Sequence, residues 1–293
     1  MKFSTPVTDF GQPFAITPQD NILVLGSCFA QVVGKRLTTY RLNATFNPFG
    51  TIYNPQSICN IIGAACTVIS NPQAATDIAM QTMLQANDGF YYSWLAASAI
   101  KGHTQGEYIN AMTAALHKLA EQITELDVLI ITLGTNRHYI YQPTGQSVAN
   151  CHKVSGKLFA EQSLQPQEIA SMLQHMQNQL TALRPQLKII VSVSPYRYLK
   201  YGHHGSQLSK AALLLGVEQW MQYCSNVHYF PAYEILLDEL RDYRYYAPDM
   251  QHPSEVAEEY IWSLFHDNYL APDTQQHIKE LIPVLKAQAH ITR

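Results

Sequence analysis

Ile22-Leu23-Val24-Leu25-Gly26-Ser27-Cys28-Phe29-Ala30 is the stretch that decides the fold. Four consecutive apolar residues read as a short strand buried on both faces, which is the signature of a parallel sheet covered by helices. Gly26-Ser27-Cys28 ends it abruptly, and from about Phe29 to Tyr40 the apolar residues Val32, Val33 and Leu37 follow a helical spacing. The same strand-then-helix alternation recurs downstream. Leu42 to Phe46 reads as extended and runs into Asn47-Pro48-Phe49-Gly50, and Pro55 to Ala65 as helix. Glu107 to Glu125 is an amphipathic helix, and Asp127 to Leu133 a buried strand ending in Gly134-Thr135-Asn136. Helices are expected over Gln167–Leu183 and Leu208–Cys224, with strands over Lys188–Val193 and Val227–Phe230. A short helix over Tyr233–Leu240 and longer ones over Pro253–Leu270 and Thr274–Ala289 complete the pattern.

Alternating strands and helices, with right-handed crossovers, give a three-layer α/β/α sandwich on a mainly parallel sheet. Two segments break the pattern. Met80 to Leu95, turning at Asn87-Asp88-Gly89, and Tyr139 to Asn150, turning at Pro143-Thr144-Gly145, read as β-hairpin insertions. No Pro/Gly/Ser-rich linker separates segments, so one domain is expected, with a core of about 21–265 and a closing helix at 274–289.

Composition narrows the function. Of 293 residues 47% are hydrophobic and 14% charged, against roughly 25% charged in an ordinary globular chain. A net charge of -3 argues against a dedicated nucleic-acid binder, which needs a basic field. No apolar run reaches membrane-spanning length, and Met1 to Pro13 lacks the apolar stretch of a secretory signal. The five cysteines (Cys28, Cys59, Cys66, Cys151 and Cys224) read as a reduced, cytoplasmic set. The G-x-G-x-x-G phosphate cradle is missing, which speaks against a nucleotide or flavin domain.

In an open parallel sheet, ligands bind beyond the carboxyl ends of the strands. Three such ends here supply Ser27, then Asn47 and Gly50, then Gly134 and Asn136. Ser27 at a strand-to-helix turn is either the N-cap of the helix or a nucleophile beside backbone N–H groups that favour negative charge. Cys28 is a rival nucleophile whose side chain is expected to point into the helix. Asp249, three residues before His252, can accept from imidazole Nδ1–H and leave Nε2 as a base; alternatively Asp249 caps the following helix beside an exposed histidine. Pro253 suits the first turn of that helix. Gly134-Thr135-Asn136 is either a turn or the source of an amide donor to an oxyanion. Cys151-His152 lacks the second ligand pair a metal site needs. Tyr53, Tyr91, Tyr92, Trp94, Tyr139 and Tyr141 either line a sugar-accepting cleft or pack the hairpins.

Several blocks resemble one family in the right order over about residues 21–265. Gly26-Ser27-Cys28-Phe29-Ala30 reads GSCFA, the signature that names the GSCFA family. Asn47-Pro48-Phe49-Gly50-Thr51-Ile52-Tyr53-Asn54-Pro55, Thr132-Leu133-Gly134-Thr135 and Asn150-Cys151-His152-Lys153 resemble its second and middle blocks. Ser192-Val193-Ser194-Pro195 and Asp249-Met250-Gln251-His252-Pro253-Ser254 resemble its late ones. That family is similar to the SGNH (GDSL-like) hydrolases, flavodoxin-like α/β/α esterases. The resemblance implies Ser27 as nucleophile, His252 as general base and Asp249 as its orienting partner. It implies an oxyanion hole from the N–H groups of Ser27 and Gly50 with an Asn amide. Asn136 holds the strand-end position for that amide, but His138 and no Asp follow it, so Asn150 and His152 stand as alternatives. The implied activity is cleavage of a small acyl ester, such as an O-acetyl group on a carbohydrate, through an acyl-enzyme and without cofactor or metal. Acyl transfer by the same triad, or a non-catalytic binding protein on this fold, are the alternatives. Expected partners are limited to the small-molecule or carbohydrate ester, with no nucleic acid and no membrane.

Overall fold

A computed structural model describes residues 5–11 and 14–291, with side chains through residue 288. Part of the N-terminal stretch Met1–Pro13, where a signal is not expected, lies outside the described residues.

The central sheet contains β1 (Ile22–Gly26), β2 (Ala44–Phe46), β6 (Val128–Leu133), β10 (Lys188–Val193) and β11 (Val227–Tyr229). They run parallel in the order β11-β10-β6-β1-β2. Counted among themselves these strands read 2-1-3-4-5 from the β2 edge, the flavodoxin-like order, whose switch point lies between β1 and β6. Register is fixed by burial. Leu23, Leu25, Leu129, Ile131, Ile189 and Val191 enter one core, and Ile22, Val24, Val128, Ile130 and Ile190 enter the other. A one-residue slip of a strand would exchange its two sets of side chains.

The first core is covered by α2 (Pro55–Ser70), α3 (Ala74–Gln81), α4 (Gln105–Thr124), α5 (Pro166–Leu183) and α6 (Gly202–Met221). The second is covered by α1 (Cys28–Thr39), by α7 (Ala232–Glu234) and the π-helical turn Ile235–Leu240 that continues it, and by α8 (Glu255–Tyr269) and α9 (Pro272–Ile291). This is the three-layer α/β/α arrangement. Tyr108, Met112, Leu116 and Ile123 form the inward face of α4, each at most 1% exposed. Truncating such a leucine to alanine costs about 2–5 kcal/mol.

Both hairpins form, and each gains a third strand that the sequence pattern did not show. β3 (Met83–Gln85) and β4 (Tyr91–Ser93) pair across the Asn87-Asp88-Gly89 turn and β5 (Lys101–Gly102) joins β4. β7 (Arg137–Tyr141) pairs with β8 (Gln146–Val148) on one side and β9 (Phe159–Ser163) on the other. The two small sheets share a separate apolar cluster around Tyr92, Trp94 and Val148, and Ala149 N–H donates to Trp94 O at 2.7 Å. Among the described residues no helix is long and apolar enough to cross a membrane.

Candidate active site

Ser27 owes its position to Gly26. A Cβ on Gly26 would sit 2.2 Å from Thr132 O, and the backbone there has φ +138°, so only glycine lets the end of β1 press against β6. Ser27 then turns the chain out of the sheet. Its N–H donates to Thr132 O at 3.1 Å, and its Oγ accepts from Phe29 N at 3.3 Å, capping α1. The two sequence alternatives therefore coexist in part: Ser27 is a cap, and it stands at the carboxyl end of β1 beside the switch point. Ser27 is buried and Cys28 is exposed, which corrects the expected orientation of Cys28. Partial burial raises the Cys28 thiol pKa, and the Glu258 carboxylate raises it further. A thiol with a raised pKa holds little of the thiolate that attacks.

The 249–254 loop folds back on itself. Asp249 Oδ1 accepts from the N–H groups of Gln251 and His252, both at 2.9 Å, and Met250 takes φ +58° to allow it. Asp249 Oδ2 lies 2.5 Å from His252 Nδ1. The hydrogen bond from His252, followed by the two backbone N–H groups, pulls the Asp249 carboxyl down to about 2. An ionised carboxylate only accepts, so Nδ1 carries the proton and Nε2, which has no hydrogen-bond partner among the described residues, is left as acceptor. Gln251 O receives Arg197 N–H at 3.0 Å, and His252 O receives Ala247 N–H at 2.8 Å, which pin the loop. Pro253 does not enter the first turn of α8. It lies just before the N-cap Ser254, bridged to Tyr246, because Ser254 Oγ takes the Ala257 N–H.

Two residues feel both this loop and the start of α1. The Tyr196 ring lies 4.4 Å from the His252 ring, and its phenol pKa is raised by burial, then by Tyr198, Asp249 and Cys28. Glu258, on α8, is within electrostatic range of both His252 and Cys28. Gln251 is pinned to Arg197, just past the carboxyl end of β10, and Ser27 follows the carboxyl end of the parallel β1, so both lie on the carboxyl side of the sheet; no hydrogen bond joins Ser27 to His252.

The candidate backbone donors to an oxyanion are engaged. Gly50, at φ +82° with its Cα hydrogen facing Ala97, donates its N–H to Asn47 O at 2.8 Å. Asn136 Nδ2 donates to Leu164 O at 2.9 Å, leaving its second hydrogen, and Asn136 N–H donates to Ser209 Oγ. In this structure the Ser27 and Gly50 N–H groups are thus each paired with a backbone carbonyl. Of the alternatives, Asn150 Oδ1 accepts from His152 N–H at 2.7 Å. His152 Nε2 faces Ser93 O at 2.8 Å and its ring stacks on Tyr92, which ties it to the inserted sheet. Asn47 Oδ1 accepts from Gly26 N–H at 2.9 Å, while its Nδ2 is buried with no partner. This amide, next to both Gly26 and Gly50, has a donor to give; the sequence reading named Asn47 at the strand end but assigned it no such role.

Lys210 was missed altogether. It lies on the inner face of α6, 2% exposed, and Nζ donates to Gly134 O and Ser194 O, both at 2.8 Å. It ties the carboxyl ends of β6 and β10 together, two residues before Tyr196. Its spacing with Ser206, Leu213 and Val217 places it on the buried stripe, a signal present in the sequence. Burial lowers its pKa to about 7, and a neutral amine has two hydrogens for the two carbonyls. A folded pKa below the unfolded one means stability rises with pH from about 7 up to the ordinary lysine value of roughly 10.4. Lys210→Met leaves both carbonyls unpaired and is expected to cost about 1–3 kcal/mol at pH 9. In paired thermal melts the gap to the wild type should narrow as the pH falls to 7. A gap independent of pH would mean the folded protein holds Lys210 charged.

Beside Gly134 opens a cleft of about 150 Å³ lined by Tyr53, Asn54, Thr135, Arg137, Tyr139, Asn150, Tyr198 and Tyr201, among others. Tyr53 joins it to the rim: its O accepts Gly134 N–H at 2.7 Å. Burial pushes its phenol up to about 12, with Tyr198, Tyr196, Tyr139 and Cys28 adding to the rise. Of the six aromatic residues singled out in the sequence, Tyr53 and Tyr139 line this cleft. Tyr92 and Trp94 fill the cluster between the inserted sheets with Tyr141 packed on it, and Tyr91 packs against the main core. Among the described residues no group of three or more His, Cys, Asp or Glu is placed to hold a metal ion.

No curated protein and no solved structure matches the chain. The family model described as "GSCFA family" matches residues 21–265, which span β1 through the inward-facing Phe265 of α8 and so include every residue of this rim, and the chain belongs to the GSCFA family.

Proposed function

We propose that the protein is a serine esterase of the kind found among SGNH hydrolases, cleaving a small acyl ester such as an O-acetyl group on a carbohydrate. The observation that carries this reading is the Asp249–His252 pair at 2.5 Å, its Nε2 open, in a loop pinned past the carboxyl end of β10, with Ser27 at the carboxyl end of β1. In the proposed reaction His252 Nε2 takes the Ser27 hydroxyl proton as Oγ attacks the ester carbonyl. Asp249 holds the imidazole and stabilises its charged form. Backbone N–H groups at Ser27 and Gly50 turn to the oxyanion as substrate binds, with an Asn amide, from Asn136 or Asn47, as the third donor; such contacts commonly tighten only in the substrate complex. The alcohol leaves with the His252 proton, and water then releases the acid. The five free thiols fit a reducing compartment, which supports a cytoplasmic location.

Hydrolysis of 4-nitrophenyl acetate and of acetylated sugars by the purified chain tests the reading. Its pH profile is a sharper check. A protonated imidazole cannot accept the Ser27 proton, so the rate falls towards acid. Because the Asp249 carboxyl is held at about 2, it stays ionised across the assay range. The acid limb of log kcat/KM above pH 4 should therefore have a slope of one proton. A slope of two, or no acid limb, would contradict the assignment.

A further inference from the structure

Arg137 in the wall of the cleft beside Gly134 belongs to a charge arrangement that cleavage of a neutral ester does not require. Arg137 Nη1 pairs with Glu161 Oε1 at 3.0 Å, and Lys200 Nζ pairs with Glu161 Oε2 at 3.1 Å. Lys200 also donates to the Tyr139 hydroxyl. Two cations thus share one carboxylate. Burial alone would raise the Glu161 pKa, but hydrogen bonds from Tyr201, Lys200, Tyr139 and Arg137 bring it down to about 2, so Glu161 stays anionic and the cluster keeps one net positive charge. The Arg137 guanidinium carbon lies 3.9 Å from the centre of the Tyr201 ring, and its buried Nε has no partner among the described residues. The surrounding walls are tyrosine faces with Asn54, Thr135 and Asn150 between them. Tyrosine offers an apolar face and a polar tip, and amide and hydroxyl groups orient a hydroxylated ligand.

We propose that this cleft binds a pyranose bearing a single carboxylate, a uronic-acid-type sugar, with Arg137 facing the carboxylate, Lys200 adding positive charge from behind Tyr139 and Tyr201, and the tyrosines facing the ring. One surplus charge matches a monoanion better than a doubly charged phosphate, and the planar guanidinium matches a carboxylate's two oxygens. Tyr198 lines the cleft, its ring lies 6.2 Å from that of Tyr196, and Tyr196 packs on His252, so two aromatic rings separate the proposed sugar site from His252. The inference rests on the esterase reading only in making this sugar the alcohol part of the ester.

Calorimetric binding to the full chain tests it without catalysis, using methyl β-D-glucuronide against methyl β-D-glucoside. The glucuronide is expected to bind about tenfold tighter or more, as one charge-assisted contact gives. That advantage should shrink as salt is raised and disappear in Arg137→Met. Lys200→Met, at a half-exposed position, should reduce it too and serves if Arg137→Met does not fold. Equal affinity for the two sugars, no binding of either, or an advantage that survives both substitutions overturns the proposal. The esterase reading is scored separately. Hydrolysis of 4-nitrophenyl acetate without a uronide preference removes the cleft proposal alone, and uronide binding by a chain that cleaves no ester removes the esterase reading alone.

Discussion

Ser27→Ala is expected to lower kcat for 4-nitrophenyl acetate by about 10⁴- to 10⁶-fold, the range seen when a serine nucleophile is removed from a working triad. The same substitution removes the cap of α1, since Oγ accepts the Phe29 N–H. Losing such a cap costs about 1 kcal/mol. The variant should therefore melt a few degrees lower while keeping its circular dichroism spectrum. These two effects separate the two roles of the residue. A cap alone predicts the small stability loss with near-normal turnover; a nucleophile predicts loss of turnover far larger than the stability change explains. Ser27→Cys is informative beside it, because it preserves a nucleophilic atom at the end of β1 and still leaves Cys28 in place. Turnover that survives in Ser27→Ala would point to Cys28, against its raised pKa.

Asp249→Asn is expected to lower kcat by about 10³- to 10⁴-fold with little change in KM. The carboxylate fixes the imidazole in the tautomer that leaves Nε2 as acceptor, whereas an amide can present its NH2 to Nδ1 and so reverse the tautomer. The side chains of Asp249 and His252 are 42% and 41% exposed, so water screens the attraction between them. The orienting role should outweigh the electrostatic one, which places the expected loss towards the lower end of that range. The backbone N–H groups of Gln251 and His252 also rely on Asp249 Oδ1. The loop is held independently through Arg197 N–H and Ala247 N–H, so the variant should fold. A variant with wild-type kcat would show that the pair is a loop cap and nothing more.

What the sequence disclosed was governed by burial on two faces. β1, β6 and β10 each carry an apolar run (residues 22–25, 128–131 and 189–191) because both sides of the sheet are covered, and the strands end at or just before Gly26, Gly134 and Ser194. Both hairpin turns were legible from Gly89 and Gly145, which adopt φ +83° and +70°. β5 and β9 were not, because Lys101-Gly102 and Phe159–Ser163 carry no alternation and become strands only by pairing with a partner already in place. α6 begins at Gly202, six residues before its expected start, because Gly202-His203-His204-Gly205 has poor helix propensity and is helical through its continuation into the buried stripe. The chemistry divides in the same way. Asp249 and His252 are three apart, so their pairing is local and readable. The acceptors of Ser27 N–H and Asn136 Nδ2, Thr132 O and Leu164 O, depend on which carbonyl the tertiary fold brings near. Tyr198, Tyr201 and Lys210 enter the site region only through the course of the β10–α6 connection and the buried face of α6.

The account depends most on Ser27 being a hydroxyl that His252 activates. Reaction with a fluorophosphonate, in which Oγ forms a bond to phosphorus and fluoride departs, followed by mass spectrometry of the digested chain, reads this directly. One adduct per chain on the peptide containing Ser27, lost in both Ser27→Ala and His252→Ala, is the predicted result. An unlabelled wild-type chain, or an adduct carried by another residue and indifferent to His252, would contradict it.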